Sequence, residues 1–305
     1  MNCQALFIFC IICIVFIENP NTVYMHKYFK IICPLLCVSL FFSCSAKNQA
    51  ENNFNAYLPP SFEDYFDNYA LPIESKSNTE TDVWDVSDID ISYIDSAKKL
   101  IAFTFDDSPA KYMENILVAF ASFNEQNPDC RATATFFING GMIFEESYPL
   151  LHTAHILGFE LGNHTHSHFD LTTLNTGELQ AEIRRTDELL SKVDGKNRHL
   201  LRPPFGRINE EIKTSLQTPI INWTIDTLDW TGVTEQEIFD SVFNARFSGA
   251  IVLMHDGPTA TVQALKKLLP ALKEDGYQVV SVSALAKAHG CILRNGKEYI
   301  RARKQ

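Results

Sequence analysis

From Leu100 onward, short apolar runs alternate with amphipathic stretches through to Ser281. Strand-like runs fall at 100–105, 134–138, 158–163, 200–202, 220–225, 251–254 and 277–281. Helical patterns fall near 111–126, 147–157, 176–193, 210–216, 234–243 and 261–273. Strands separated by helices pair in parallel, so this βα repetition predicts one domain with a parallel sheet inside and helices outside. A closed, distorted (β/α) barrel is the favoured α/β architecture and an open doubly wound sheet is the alternative. Either way, the loops leaving the strand ends converge on one rim, where ligands and chemistry gather.

Titratable residues sit at those ends. The apolar, β-branched and aromatic run Leu100 to Phe105 reads as a buried strand and stops at Asp106-Asp107. Adjacent carboxylates repel, so one calls for a cation while the other stays free to take a proton. Asp107 has a plainer use as a helix cap ahead of Lys111, with Pro109 at the helix entry. The next strand end carries His164-Thr165-His166-Ser167-His168, whose imidazoles at 164 and 168 face one way if the segment is a helical turn. An HxxxH run also arises by chance. With a carboxylate from elsewhere, however, the pair makes a site suited to zinc and its first-row neighbours.

Three further segments share this placement. Leu200 to Gly206 ends a strand with Arg202, a residue able to hold a buried carboxylate such as Asp106 ionised. Asn222 to Trp230 supplies Asp226, Asp229 and an aromatic wall, and Ala250 to Gly257 supplies His255. Each has a dull use alone: a surface ion pair, a core Trp, a hydrogen-bonded loop His. Together, in order, the five segments resemble the motifs of polysaccharide deacetylases of the NodB-homology type, carbohydrate esterase family 4, over roughly residues 98–290.

The resemblance implies the barrel fold and a set of roles. Asp106 would be the catalytic base, Asp107, His164 and His168 the metal ligands, and Arg202 the group that positions Asp106. Asp226 would pair with His255, the general acid, while Leu253 and Trp230 line the acetyl pocket and groove. Loop amides near Phe205 would stabilise the oxyanion. One divalent metal is implied, zinc first, with cobalt, nickel or manganese as alternatives, and it would activate water for attack on the acetyl carbonyl. Family members often carry Tyr where this chain has Phe205, so any contact through that hydroxyl is lost.

The chain ahead of the domain differs in character. Between Glu51 and Asp95 there are eleven acids against the single base Lys76, nearly the whole formal charge of −11. Residues 45–97 therefore read as an acidic, largely disordered tether, with Phe54, Tyr57, Phe62, Tyr65, Phe66 and Trp84 available to dock on the domain. The catalytic segment is left close to neutral, and without a basic stripe nucleic acid is excluded as a partner. Residues 1–44 read as an export region. Met25-His26-Lys27 opens a second possible start, residues 31–42 are apolar, and Leu40 to Cys44 resembles a relaxed lipobox with Cys44 as the lipidated residue. An uncleaved membrane anchor is the alternative, and both readings place the domain outside the cytoplasm. Six of the eight cysteines lie at or before Cys44; Cys130 and Cys291 could form a disulfide or remain buried thiols.

The expected activity is hydrolysis of N-acetyl groups on an extracytoplasmic amino-sugar polymer, a peptidoglycan or chitin-like glycan, by a monomer. An O-acetyl esterase on xylan-like glycan, or a silent carbohydrate-binding lipoprotein, are the alternatives.

Overall fold

The computed structural model describes residues 82–303. The export region, Cys44 and the tether up to residue 81 lie outside the described residues.

The Leu100–Phe105 run forms the middle of β1 (Lys99–Ser108), which is buried almost throughout. Its apolar side chains on both faces suit a central parallel strand. The chain continues through α1 (Met113–Gln126), β2 (Thr135–Ile138), α2 (Tyr148–Ile156) and β3 (Glu160–Asn163) to the long helix α3 (Thr176–Asp194). A capping box between Asn175 and Glu178 starts α3, and Gly195, at φ 72°, ends it in the left-handed conformation that glycine adopts without steric cost. Then follow α4 (Glu210–Ser215), β4 (Ile220–Ile221), β5 (Ile225–Asp226) and α5 (Glu235–Ala245), and finally β6 (Ile251–His255), α6 (Thr259–Glu274), β7 (Tyr277–Val280), α7 (Val282–Ala288) and β8 (Glu298–Tyr299).

All the strand pairs are parallel, in the order β3-β2-β1-β6-β5, with β7 beside the start of β1 and β4 beside β8. Beyond β3 the wall continues irregularly: Arg202 N donates to Asn163 O at 2.9 Å, Ile221 N to Leu201 O at 2.8 Å, and Thr224 N to Ile251 O at 3.0 Å. The circuit returns to β6 and β1, which makes a distorted barrel. The strand expected at 220–225 is broken in two because the chain changes partner midway, Asn222 N bonding to Tyr299 O at 2.8 Å.

The fold extends past both boundaries read from the sequence. Trp84, Val86, Ile89, Ile91, Tyr93 and Ile94, ahead of residue 98, pack on a core that holds Leu100, Val280 and Leu285. The same core takes in Cys291, Leu293, Tyr299 and Ala302, beyond residue 290. Helix α7 has no break in the apolar run before it; its signal is Ser281, whose side chain caps Ala284 N. Cys130 and Cys291 are both buried free thiols. No helix among the described residues is long and apolar enough to cross a membrane.

A buried His199 ties α3 to the barrel. Its Nδ1 lies 2.8 Å from Asp187 Oδ1 and its Nε2 3.1 Å from Asp194 Oδ2. Burial disfavours the imidazolium, but the two carboxylates outweigh it and lift the pKa from 6.5 to about 9. Because the folded state binds the proton more tightly, this stabilisation is complete below pH 6.5 and is lost as the pH rises through about 9. The contribution is about 3 kcal/mol. Unfolding free energy should fall by that order across this window in urea titrations, and His199→Gln should flatten the slope.

Candidate active site

Asp106 and Asp107 end β1, with Asp106 in register with His255 of the neighbouring β6. Successive strand residues normally point to opposite faces. Asp107 escapes that alternation because its φ is 60°, and both carboxylates reach the same imidazole. His164 Nε2 lies 3.7 Å from Asp106 Oδ2 and 3.6 Å from Asp107 Oδ1.

The histidine segment is not the helical turn expected from its spacing. His164 follows β3 directly, and a loop with left-handed residues at Thr165 (φ 66°) and His168 (φ 55°) folds the two rings together, their centroids 4.9 Å apart. His168 Nε2 comes within 3.2 Å of Asp107 Oδ1. His164 Nδ1 donates to Arg202 O at 2.8 Å, which leaves the lone pair on Nε2 facing the carboxylates. Burial holds the His164 pKa below its ordinary value, prevailing over the nearby Asp106 and Asp107, so the imidazole is held in its neutral, ligating form.

Asp107, His164 and His168 each offer one ligand atom within 4.8 Å of the others. Ligands about 2 Å from a tetrahedral ion stand roughly 3.3 Å apart, close to the spacings to Asp107. Two imidazoles and a carboxylate thus fit a divalent first-row cation in both chemistry and spacing.

Arg202 is fully buried, and its guanidinium joins Asp106 to the backbone of the neighbouring barrel wall. Its Nη1 donates to Asp106 Oδ1 at 2.8 Å and Thr104 Oγ1 at 2.6 Å, Nε to Ile221 O at 2.9 Å, and Nη2 to Asn222 O at 3.3 Å. The Phe137 ring lies 4.2 Å from the guanidinium. Asp106 is therefore fixed on one oxygen while Oδ2 faces the histidines.

The expected pairing of Asp226 with His255 is corrected. His255 Nδ1 lies 2.7 Å from Asp229 Oδ1, and Asp229 Oδ2 accepts from His255 N at 2.7 Å and Thr261 Oγ1 at 2.6 Å. Asp226 Oδ1 instead accepts from Leu228 N at 2.9 Å. That local turn, with Leu228 at φ 54°, swings the chain so that Asp229 meets His255. Burial opposes the imidazolium at His255, but the Asp229 carboxylate raises its pKa above the ordinary value. Asp256, absent from the sequence reading, accepts from Ser108 Oγ at 2.8 Å and Ala110 N at 3.0 Å and so holds the turn after Asp107. Burial pushes its pKa up to about 6. The His-Asp pair at a strand end was its signal.

The aromatic rim is open. Phe205, at φ 59°, is 59 % exposed, and its ring centroid lies 4.8 Å from that of His168; Trp230 is 63 % exposed beside Asp229. Leu253 is buried in β6, two residues before His255. Five residues other than glycine have positive φ among the described residues, namely Asp107 at the end of β1 and Thr165, His168, Phe205 and Leu228 in the segments after the strands, and all lie at this rim. Such strain persists where the surroundings over-determine it, as at functional sites.

The family model for polysaccharide deacetylase matches residues 94–218. The chain is 32 % identical over 194 residues to the peptidoglycan-N-acetylmuramic acid deacetylase PdaC of Bacillus subtilis (strain 168), a match covering 63 % of this chain and 40 % of that protein. It is 32 % identical over 197 residues to a Bacillus cereus peptidoglycan-N-acetylglucosamine deacetylase, covering 62 % of this chain and 68 % of the relative. The solved structure of B. subtilis PdaC superposes with a TM-score of 0.58 at 32 % identity, covering 64 % of this chain and 93 % of that one. The chain belongs to the polysaccharide deacetylase family, enzymes of carbohydrate esterase family 4.

Proposed function

We propose that this chain hydrolyses N-acetyl groups on an extracytoplasmic amino-sugar polymer, with peptidoglycan the first candidate. The observation that carries this reading is the placement of Asp106. It is buried, held by Arg202 through one oxygen, beside three residues fit for a metal and in register with His255. The relatives named as peptidoglycan deacetylases point to the polymer.

Asp107, His164 and His168 would hold the cation, zinc first among zinc, cobalt, nickel and manganese. When bound, such an ion lowers the pKa of water and polarises a carbonyl. Asp106 Oδ2 accepts the proton of the attacking water, its other oxygen remaining on Arg202. His255, kept protonated by Asp229, donates to the departing sugar nitrogen. The backbone amides beside Phe205 would donate to the developing oxyanion, and Phe205, Trp230 and Leu253 would line the acetyl pocket and groove. Asp226, away from His255, fixes the turn that delivers Asp229. Export of the domain and lipidation at Cys44 complete this reading.

Asp229→Asn removes the charge that favours the imidazolium. His255 then loses its proton at lower pH, so the alkaline limb of the kcat/KM profile is expected to move down by about 1 to 3 pH units. A profile unchanged from wild type rules out His255 as the acid.

The decisive assay is acetate release by the full chain, loaded with zinc or cobalt, from peptidoglycan, N-acetylglucosamine oligomers and acetylated xylan in parallel. Release from the amino-sugar substrates is expected. Release from xylan alone makes the protein an O-acetyl esterase, and no release from any substrate by folded, metal-loaded protein overturns the reading.

A further inference from the structure

Helix α3 packs against β3 with an inner face that is half polar: of its six buried residues, Leu179, Leu190 and Val193 are apolar while Glu182, Thr186 and Asp187 are not. A helix that only had to cover the barrel would bury an apolar stripe. Of the polar side chains, Glu182 bonds the histidine loop directly and Asp187 reaches it through Asn163.

Glu182 Oε2 accepts from His166 N at 3.1 Å and Ser167 N at 2.6 Å, while Oε1 accepts from Ser167 Oγ at 2.9 Å. These amides lie between His164 and His168, where the backbone passes through two left-handed residues. Asn163, just before the loop, accepts from Thr165 N at 2.8 Å and donates to Asp187 Oδ1 at 2.9 Å. Asp187 Oδ1 in turn lies 2.8 Å from His199 Nδ1, beyond which Asp194 closes the chain. The loop's outer side is held as well, since Gly140 N and Gly141 N donate to Thr165 O and His166 O at 2.9 and 2.7 Å. A side chain at Gly140 would collide with Thr186, so the turn, the loop and α3 form one packed stack.

We propose that Glu182 and Asp187 are positioning residues: through the amides of residues 165–167 they set the two imidazoles at the spacing a cation needs. This rests on the metal-site reading above. Neither residue touches substrate or metal; each fixes the backbone that carries the ligands, as outer-shell partners of metal ligands do.

The test is Co(II) binding by the full chain, with affinity from competition titration and geometry from the visible absorption of the bound ion. Glu182→Gln and Asp187→Asn keep the side-chain shape but remove the charge, which weakens the charge-assisted bonds to the loop amides and to the Asn163 anchor. Each is expected to weaken Co(II) binding about 10- to 100-fold and to change the absorption bands, with circular dichroism of the metal-free protein unchanged. Leu272→Ala, in the buried face of α6, serves as the control for destabilisation alone; it should lower Tm and leave affinity and spectrum as in wild type. Should Glu182→Gln not fold, Asp187→Asn carries the same test. Wild-type affinity and spectrum in the folded variants overturn the positioning role while leaving the metal site standing. Failure of the wild-type chain to bind Co(II) overturns both.

Discussion

Asp106→Asn is expected to lower kcat by about 100- to 10,000-fold, the usual contribution of a positioned general base, while metal uptake stays stoichiometric. The amide oxygen of Asn can still accept from Arg202 Nη1, and the substitution leaves Asp107, His164 and His168 in place. What disappears is the second oxygen, Oδ2, the group facing His164 that is proposed to accept a proton from water. Asp107→Asn should behave in the opposite way, weakening metal uptake first and activity with it, because its Oδ1 is the oxygen 3.2 Å from His168 Nε2. Measuring kcat and bound metal on both variants separates the two adjacent carboxylates. Near-wild-type turnover by Asp106→Asn would move the proton acceptor elsewhere.

How far this division of labour could be read from the sequence depends on the physics behind each residue. Asp106 and Asp107 stand out because a buried strand must end before two carboxylates can follow it, and the structure places them at such an end. Arg202 and His255 sit at strand ends for the same reason, and parallel pairing then brings all of them to one rim. The partner of His255 was not legible in this way. Asp226 ends β5 and Asp229 follows three residues later; the choice between them is made by a turn with Leu228 in the left-handed region, and leucine does not advertise positive φ. The histidine spacing misled similarly, since i and i+4 meet on a helix but also across a loop strained at Thr165 and His168. In the segment 82–97 the docking of Trp84 was legible, whereas Val86, Ile89, Ile91, Tyr93 and Ile94 were not, because they are interleaved with acids. Glu182 and Asp187 look like ordinary surface charges in an amphipathic pattern, and only the packing of α3 shows that they face inward.

The inward-facing charge with most at stake is that of Arg202. Arg202→Met is expected to destabilise the fold by about 3 to 5 kcal/mol, the usual cost of removing one partner from a buried ion pair. The loss has three sources. Asp106 keeps a buried carboxylate without its cation, Ile221 O and Asn222 O lose a donor, and Phe137 loses the guanidinium against its face. Burial already works against the Arg202 cation, lowering its pKa, and the Asp106 carboxylate opposes that effect. The pair is therefore an expensive way to hold the barrel together, and two apolar residues of similar volume should do as well. The double variant Asp106→Leu/Arg202→Met is accordingly expected to recover most of the stability lost in the single variant, with no activity. Urea unfolding of the wild type, both single variants and the double variant gives the coupling between the two sites directly. A coupling of several kcal/mol together with a stable, inactive double variant means that the ion pair is kept to hold Asp106 aimed at the proposed metal site. If instead Arg202→Met costs less than about 1 kcal/mol, in the range of an exposed pair, the Asp106 charge is compensated by other groups and the positioning role of Arg202 fails.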